Sequence, residues 1–222
     1  MPRILLALVA LALLASLVGC GGGGATISGW VIDDTLFQPN YVSALDGKLY
    51  HWHQLPMTAK FTLPPGWAAT YGNTHLAAAG EWNGEREMIR VVTGFANVTV
   101  EFVDQSELGN NTYGRTSFSY NPSSGEMLDS SIKIAISDSH GPTAPIDIQA
   151  LIAHELGHAL GIGGHSPNST DLMYTTHIFG TAQLTSALDI NTIKTAYPSY
   201  FGIPMLRQEP TRSGEIVHEV IE

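Results

Sequence analysis

An α+β domain built on a mixed sheet is the fold class this sequence predicts, and three patterns predict it. Val98, Val100 and Phe102 alternate with Thr99, Glu101 and Val103, and Ile132, Ile134 and Ile136 alternate with Lys133 and Ala135, the period of half-buried strands. Residues 77–92 and 146–160 instead carry apolar side chains at helical spacing, which gives each one apolar face. Once an N-terminal export segment is set aside, the 222-residue chain leaves about 175 residues, the amount one core accommodates.

The elements follow in chain order. Arg3 precedes an apolar run over residues 4–18, shorter than the ~20 residues of a membrane-spanning helix, so residues 1–20 read as a signal peptide. Leu17-Val18-Gly19-Cys20 resembles a bacterial lipobox, in which Cys20 becomes the lipidated first residue; an ordinary cleaved signal is the alternative. Residues 21–28, opening with four glycines, then serve as a tether. The expected location is the bacterial cell envelope, with a lipid anchor as the sole membrane attachment, or outside the cell if Cys20 is incidental. The folded domain is expected over residues 29–200.

Residues 60–63 form a strand that Pro64-Pro65 stops. The helix over 77–92 is weakened at Gly84. Strands follow at 98–104 and 131–137, then a long helix at 146–160 with Pro145 near its start, and a last helix at 184–197. Residues 201–222 hold charged residues and two prolines with little core-like periodicity, and read as a mobile tail.

Charge narrows the partners. Ten basic against twenty acidic residues give a net charge of -10 without a basic cluster, which argues against nucleic acid. Cys20 is the only cysteine, so no intrachain disulfide can form.

The chemistry concentrates in His154-Glu155-Leu156-Gly157-His158-Ala159-Leu160-Gly161-Ile162-Gly163-Gly164-His165. On a helix His154 and His158 are one turn apart on one face and can share a metal ion. Glu155 projects beside that ion, where a carboxylate can deprotonate a metal-activated water. Catalytic zinc takes three protein ligands. Gly161 allows the helix to stop and the chain to return with His165 as the third; Asp171 and Asp189 are the alternatives.

This run resembles the signature of the metzincin zinc peptidases, and within them the matrixins, H-E-x-x-H-x-x-G-x-x-H followed by a methionine-bearing turn. One residue departs from it: the third histidine falls at His165, with Gly164 in its expected place. Eight residues on, Asp171-Leu172-Met173-Tyr174 looks like the Met-turn, so the register recovers. The resemblance spans about residues 45–200 and implies a twisted mixed sheet, a long active-site helix and a C-terminal helix. It also implies a single-zinc endopeptidase acting on proteins or peptides as a monomer, with Glu155 as general base and Met173 as an apolar floor under the imidazoles. Strand 131–137, if at the sheet edge, would pair an extended substrate through the neighbourhood of Ile134; an interior position is the alternative. Tyr174 and Phe179 would wall a substrate pocket. The family's propeptide cysteine switch has no counterpart. Calcium enters only by analogy, because Asp33-Asp34, Asp138 and Asp147 make no recognisable loop.

His51-Trp52-His53 could place two imidazoles on one strand face, but no third ligand is near in sequence. Two other functions fit the same residues: a binding protein that keeps the fold without turnover, and an amidase acting on cell-wall peptides. Glu155 argues against the first, since a chain without catalysis has no chemical need for it.

Overall fold

A computed structural model describes residues 26–27, 30–31, 50–109, 111–121, 124–203, 207–208 and 217–221. Ten strands are present among them: β1 (Thr26–Ile27), β2 (Trp30–Val31), β3 (Met57–Thr62), β4 (Ile89–Val91), β5 (Val98–Asp104), β6 (Gly114–Tyr120), β7 (Met127–Asp138), β8 (Gly141–Pro142), β9 (Arg207–Gln208) and β10 (Val217–Ile221). The helices are α1 (Trp67–Thr70), α2 (Thr74–Glu81), α3 (Pro145–Ala159) and α4 (Ala187–Ala196). The fold is the α+β class expected. The main sheet runs β10-β6-β7-β5-β3-β4, with β8 paired to β7. β4, β3, β5 and β7 are parallel, whereas β6 is antiparallel to both β7 and β10.

Three expectations are corrected. Residues 77–92 are not one helix: α2 ends at Glu81, and Ile89–Val91 is a strand parallel to β3. The break is a side-chain device, because the Asn83 carboxamide oxygen accepts from the amides of Met88 and Ile89 at 2.8 Å each and its nitrogen donates to Ile89 O. Strand 131–137, part of β7, lies between β5 and β6 and has no free edge. Ile134 is fully buried in the core and cannot touch a substrate. Residues 201–222 are not simply a tail, since Val217–Ile221 closes one side of the main sheet and Arg207–Gln208 joins β1 and β2 in a small second sheet. The β-branched Val217, Val220 and Ile221 carry strand propensity that the neighbouring charges masked.

α3 crosses the sheet and is held at both ends. Pro145 occupies its first turn, where the missing N–H costs nothing, and Asp147 lies at the positive end of its dipole. At the far end, carbonyls without a helical partner are taken up from outside. The Trp52 indole N–H donates to Ala159 O at 2.7 Å and the Tyr197 hydroxyl to Leu160 O at 2.5 Å. Trp82 donates to Ala153 O at 2.8 Å, so three aromatic residues from distant parts of the chain fix this helix in place.

Candidate metal centre

Gly161 ends α3. Its φ is 110°, and a Cβ there would lie 1.9 Å from the Tyr50 carbonyl oxygen, so glycine is required twice over. The Gly161 amide donates to His158 O at 2.9 Å and the Ile162 amide to Gly157 O at 3.1 Å, the paired bonds of a Schellman turn. That turn also serves the site, because it brings Ile162 O within 2.6 Å of His158 Nδ1. His154 finds the equivalent acceptor in Leu172 O, 2.8 Å from its Nδ1. With each Nδ1–H committed to a carbonyl, the free lone pair of both rings is on Nε2.

The two Nε2 atoms stand 3.1 Å apart. Neither has a proton to give the other, so this separation is two lone pairs facing one point rather than a hydrogen bond. Ligand nitrogens ~2.0–2.1 Å from a tetrahedral zinc are separated by roughly 3.3 Å, so the spacing fits such an ion. His165 completes the group: its ring centroid is 5.2 Å from that of His154 and 4.9 Å from that of His158, and one ligand atom from each residue falls within a 4.8 Å cluster. These three residues form the sole metal-capable group of three or more among the described residues, and His51 and His53 belong to none. Burial drives His154 down to about 4, abetted by the charge on His165. It holds His158 well below the ordinary imidazole value, and it lowers His165 too. Neutral imidazoles are the form that binds a metal.

Asp171 and Asp189, the alternative third ligands, have other tasks. Asp189 Oδ2 accepts from the Leu172 amide at 2.9 Å and from the Ser186 amide at 2.8 Å, while its own amide is capped by Ser186 Oγ. This capping box at the start of α4 therefore clamps the Met-turn and, through Leu172 O, orients His154. Asp171 accepts from Ser166 Oγ at 2.5 Å, and the Ser166 amide donates to Met173 O at 2.7 Å, which fixes the residue next to His165. Met173 is fully buried, its sulfur pressed against Gly157 between the two helical histidines.

Glu155 is 3% exposed and lines a cavity of about 600 Å³. Burial raises its carboxyl to about 8, against the opposing Thr116 hydroxyl, which donates to Oε2 at 2.5 Å. Oε1 rests against the backbone of Gly114, where a Cβ would lie 2.2 Å away. Sequence reasoning missed both β6 residues, and no motif marks them.

His154, His165, Tyr174 and Phe179 line the same cavity, and Ile134 does not. Its outer wall, the loop 174–183, is tied down by Asp147, whose Oδ1 takes His177 Nε2 at 2.9 Å and the Gly180 amide at 2.7 Å. Phe179 packs edge-on against Tyr113 across the cavity, with ring centroids 4.8 Å apart. Tyr113 in turn donates to Asp138 Oδ2 at 2.7 Å. Asp138 and Asp147 thus have side-chain and backbone donors as partners.

The family model for the matrixin peptidases matches residues 52–198, two thirds of the chain. The chain belongs to the matrixin family. No curated protein matches it significantly. Membership in the matrixins points to zinc-dependent peptidase activity on a protein or peptide substrate, and the three-histidine group could bind the metal that activity uses.

Proposed function

We propose that this matrixin is a zinc endopeptidase in which His154, His158 and His165 hold one ion and Glu155 is the general base. The observation that carries the reading is the convergence of imidazole nitrogens, each helical ring oriented by a backbone carbonyl, beside a buried carboxylate that lines the same cavity. Zinc bound there supplies Lewis acidity, polarising the scissile carbonyl and making water acidic near neutral pH.

The remaining chemistry belongs to the chain. Thr116 occupies Oε2 of Glu155, which leaves Oε1 to accept a proton from the attacking water. Oxygen adds to the carbonyl carbon, and the proton held on Glu155 passes to the leaving nitrogen as the C–N bond breaks. The raised affinity of this buried carboxyl for a proton suits it to hold that proton between the two steps. No covalent intermediate with the protein forms. Tyr174 and Phe179 wall the pocket for the residue that follows the cleaved bond, and Asp147 keeps that wall in position through His177 and Gly180.

The test is cleavage of an unfolded protein by the chain from residue 25 onward, with zinc, with a chelator and as Glu155→Ala. Cleavage abolished by both controls is the expected result. Stoichiometric zinc with no cleavage of any protein or cell-wall peptide would overturn the peptidase reading in favour of a binding role.

The N-terminal segment, with Cys20, lies outside the described residues. We infer from its sequence that the enzyme is exported as a monomer anchored to the envelope by lipid on Cys20. Fatty-acid labelling of the full chain, lost in Cys20→Ala, tests this; equal labelling of both would sink it.

A further inference from the structure

The edge of the main sheet beside Glu155 is only partly open. β6 starts at Gly114, against the Glu155 carboxylate, and runs away from the site to Tyr120. β10 is antiparallel to it, with Ile221 opposite Thr116, Glu219 opposite Phe118 and Val217 opposite Tyr120. β10 therefore heads toward the site, and its last described pair is two positions from Gly114.

Backbone alternation shows which groups remain. The Ala135 amide of β7 donates to Tyr113 O at 2.8 Å, so Tyr113 turns its peptide groups inward to β7. Gly114, Thr116 and Phe118 then turn theirs outward. Of these three, Thr116 and Phe118 face β10, and Gly114 lies beyond its described pairs at the cavity wall.

A peptide adding to this edge in the orientation β10 itself adopts would run along β6 toward Gly114. Its residues before the scissile bond would then need the stretch where β10 already lies. We propose that β10 is a built-in strand that closes the sheet edge to substrate and confines backbone pairing to Gly114, so that only about two residues before the scissile bond are read. This rests on the peptidase reading for the location of the scissile bond. The consequence is an enzyme whose selectivity comes mainly from the residues after the bond, in the pocket walled by Tyr174 and Phe179.

The experiment uses peptides of one sequence carrying two, four or six residues before the cleaved bond. Affinity is measured by fluorescence anisotropy on the zinc-loaded full chain carrying Glu155→Gln, and kcat/KM on the unmodified full chain. Affinity is expected to change less than threefold from two to six residues. In Glu219→Pro, added to the same background, the N–H paired with Phe118 is gone and the edge opens, so the six-residue peptide should gain tenfold or more. A tenfold gain from two to six residues in the chain with β10 intact overturns the proposal, whatever the folding of the proline variant. So does absence of binding at every length. Binding with the expected plateau but no turnover upholds the edge closure and overturns the peptidase reading alone.

Discussion

Replacing Gly114 by alanine places one methyl group where the Glu155 carboxylate already is. An ideal Cβ there lies 2.2 Å from Oε1, 2.7 Å from Cδ and 2.8 Å from Cγ of Glu155. Carbon and oxygen pack at about 3.3 Å, so roughly 1 Å of movement is required. β6 cannot supply it easily, since Gly114 is paired with Ile134 of β7 and the strand is held by β10 from Thr116 onward. The carboxylate must move instead, giving up the 2.5 Å bond from Thr116 in a buried setting, where leaving such a group unsatisfied costs about 1–3 kcal/mol. The backbone at Gly114 is outside the left-handed region, so alanine itself brings no conformational strain, and the less flexible unfolded chain offsets about 0.4–1 kcal/mol of that loss. A 1 Å displacement of a reacting group costs on the order of 10²-fold in rate. We therefore predict that Gly114→Ala binds one zinc, unfolds within about 2 kcal/mol of the parent, and loses about 10²-fold in kcat/KM on an unfolded protein. Zinc content, urea unfolding and steady-state kinetics measured on one preparation decide it. Activity within threefold of the parent at full zinc occupancy would refute the placement of Glu155 against β6.

Gly157→Ala should be destabilising although alanine favours helix by about 1 kcal/mol, because its Cβ would meet Met173 Sδ at 2.4 Å and Trp82 Cζ2 at 2.6 Å, and overpacking costs about 1–3 kcal/mol. A raised urea midpoint would contradict this packing. In the metal-free protein Glu155 keeps a proton up to about pH 8 that the unfolded chain releases near 4.5, so its contribution favours folding below that window and is lost as pH rises through it. Relative to Glu155→Gln, the metal-free parent should lose up to about 1.4 kcal/mol of stability per pH unit between pH 5 and 8; parallel stability curves would show that the carboxyl is not desolvated. Asp147→Asn should weaken the hold of residue 147 on His177 and Gly180 and so loosen the loop 174–183, raising KM more than it lowers kcat and speeding exchange of the Gly180 amide. Unchanged exchange would argue that the loop is held elsewhere.

The sequence was most legible where one element carries its own periodicity. β5 matches the alternation at residues 98–104, and α3 and α4 match the helical spacing to within a few residues. The three histidines that could hold a metal were legible because two share a helix and the third follows a glycine stop. What stayed hidden depends on partners distant in sequence. β6 carries only a short alternation, Thr116, Phe118 and Tyr120 interleaved with Arg115, Ser117 and Ser119, and its Gly114 and Thr116 acquire meaning only when α3 is laid over them. The end of α2 is set by Asn83 bonding the backbone beyond it, and a helical reading of residues 77–92 cannot anticipate such a bond. Strand 131–137 has the same alternation at an edge or in the interior, so its place was decided by pairing with β5 and β6, and Ile134 went to the core. β10 pairs with a strand about a hundred residues earlier, a contact that local pattern does not encode.

The arc from α3 to the third imidazole is pinned at its two ends and nowhere obliged to have a set length. The Schellman bonds fix Ile162 at one end, and the Ser166 amide on Met173 O fixes the other. Between them, Gly163 and Gly164 absorb one residue more than the family signature allows, and His165 still reaches its place beside the other two rings. A residue can thus be added or deleted here without moving the third imidazole, whereas the same change inside α3 would rotate a histidine by about 100°. Scans that demand fixed spacing through this arc will pass over chains that preserve its anchors, and protein engineers have a site where a short insertion can be carried next to the three-histidine group.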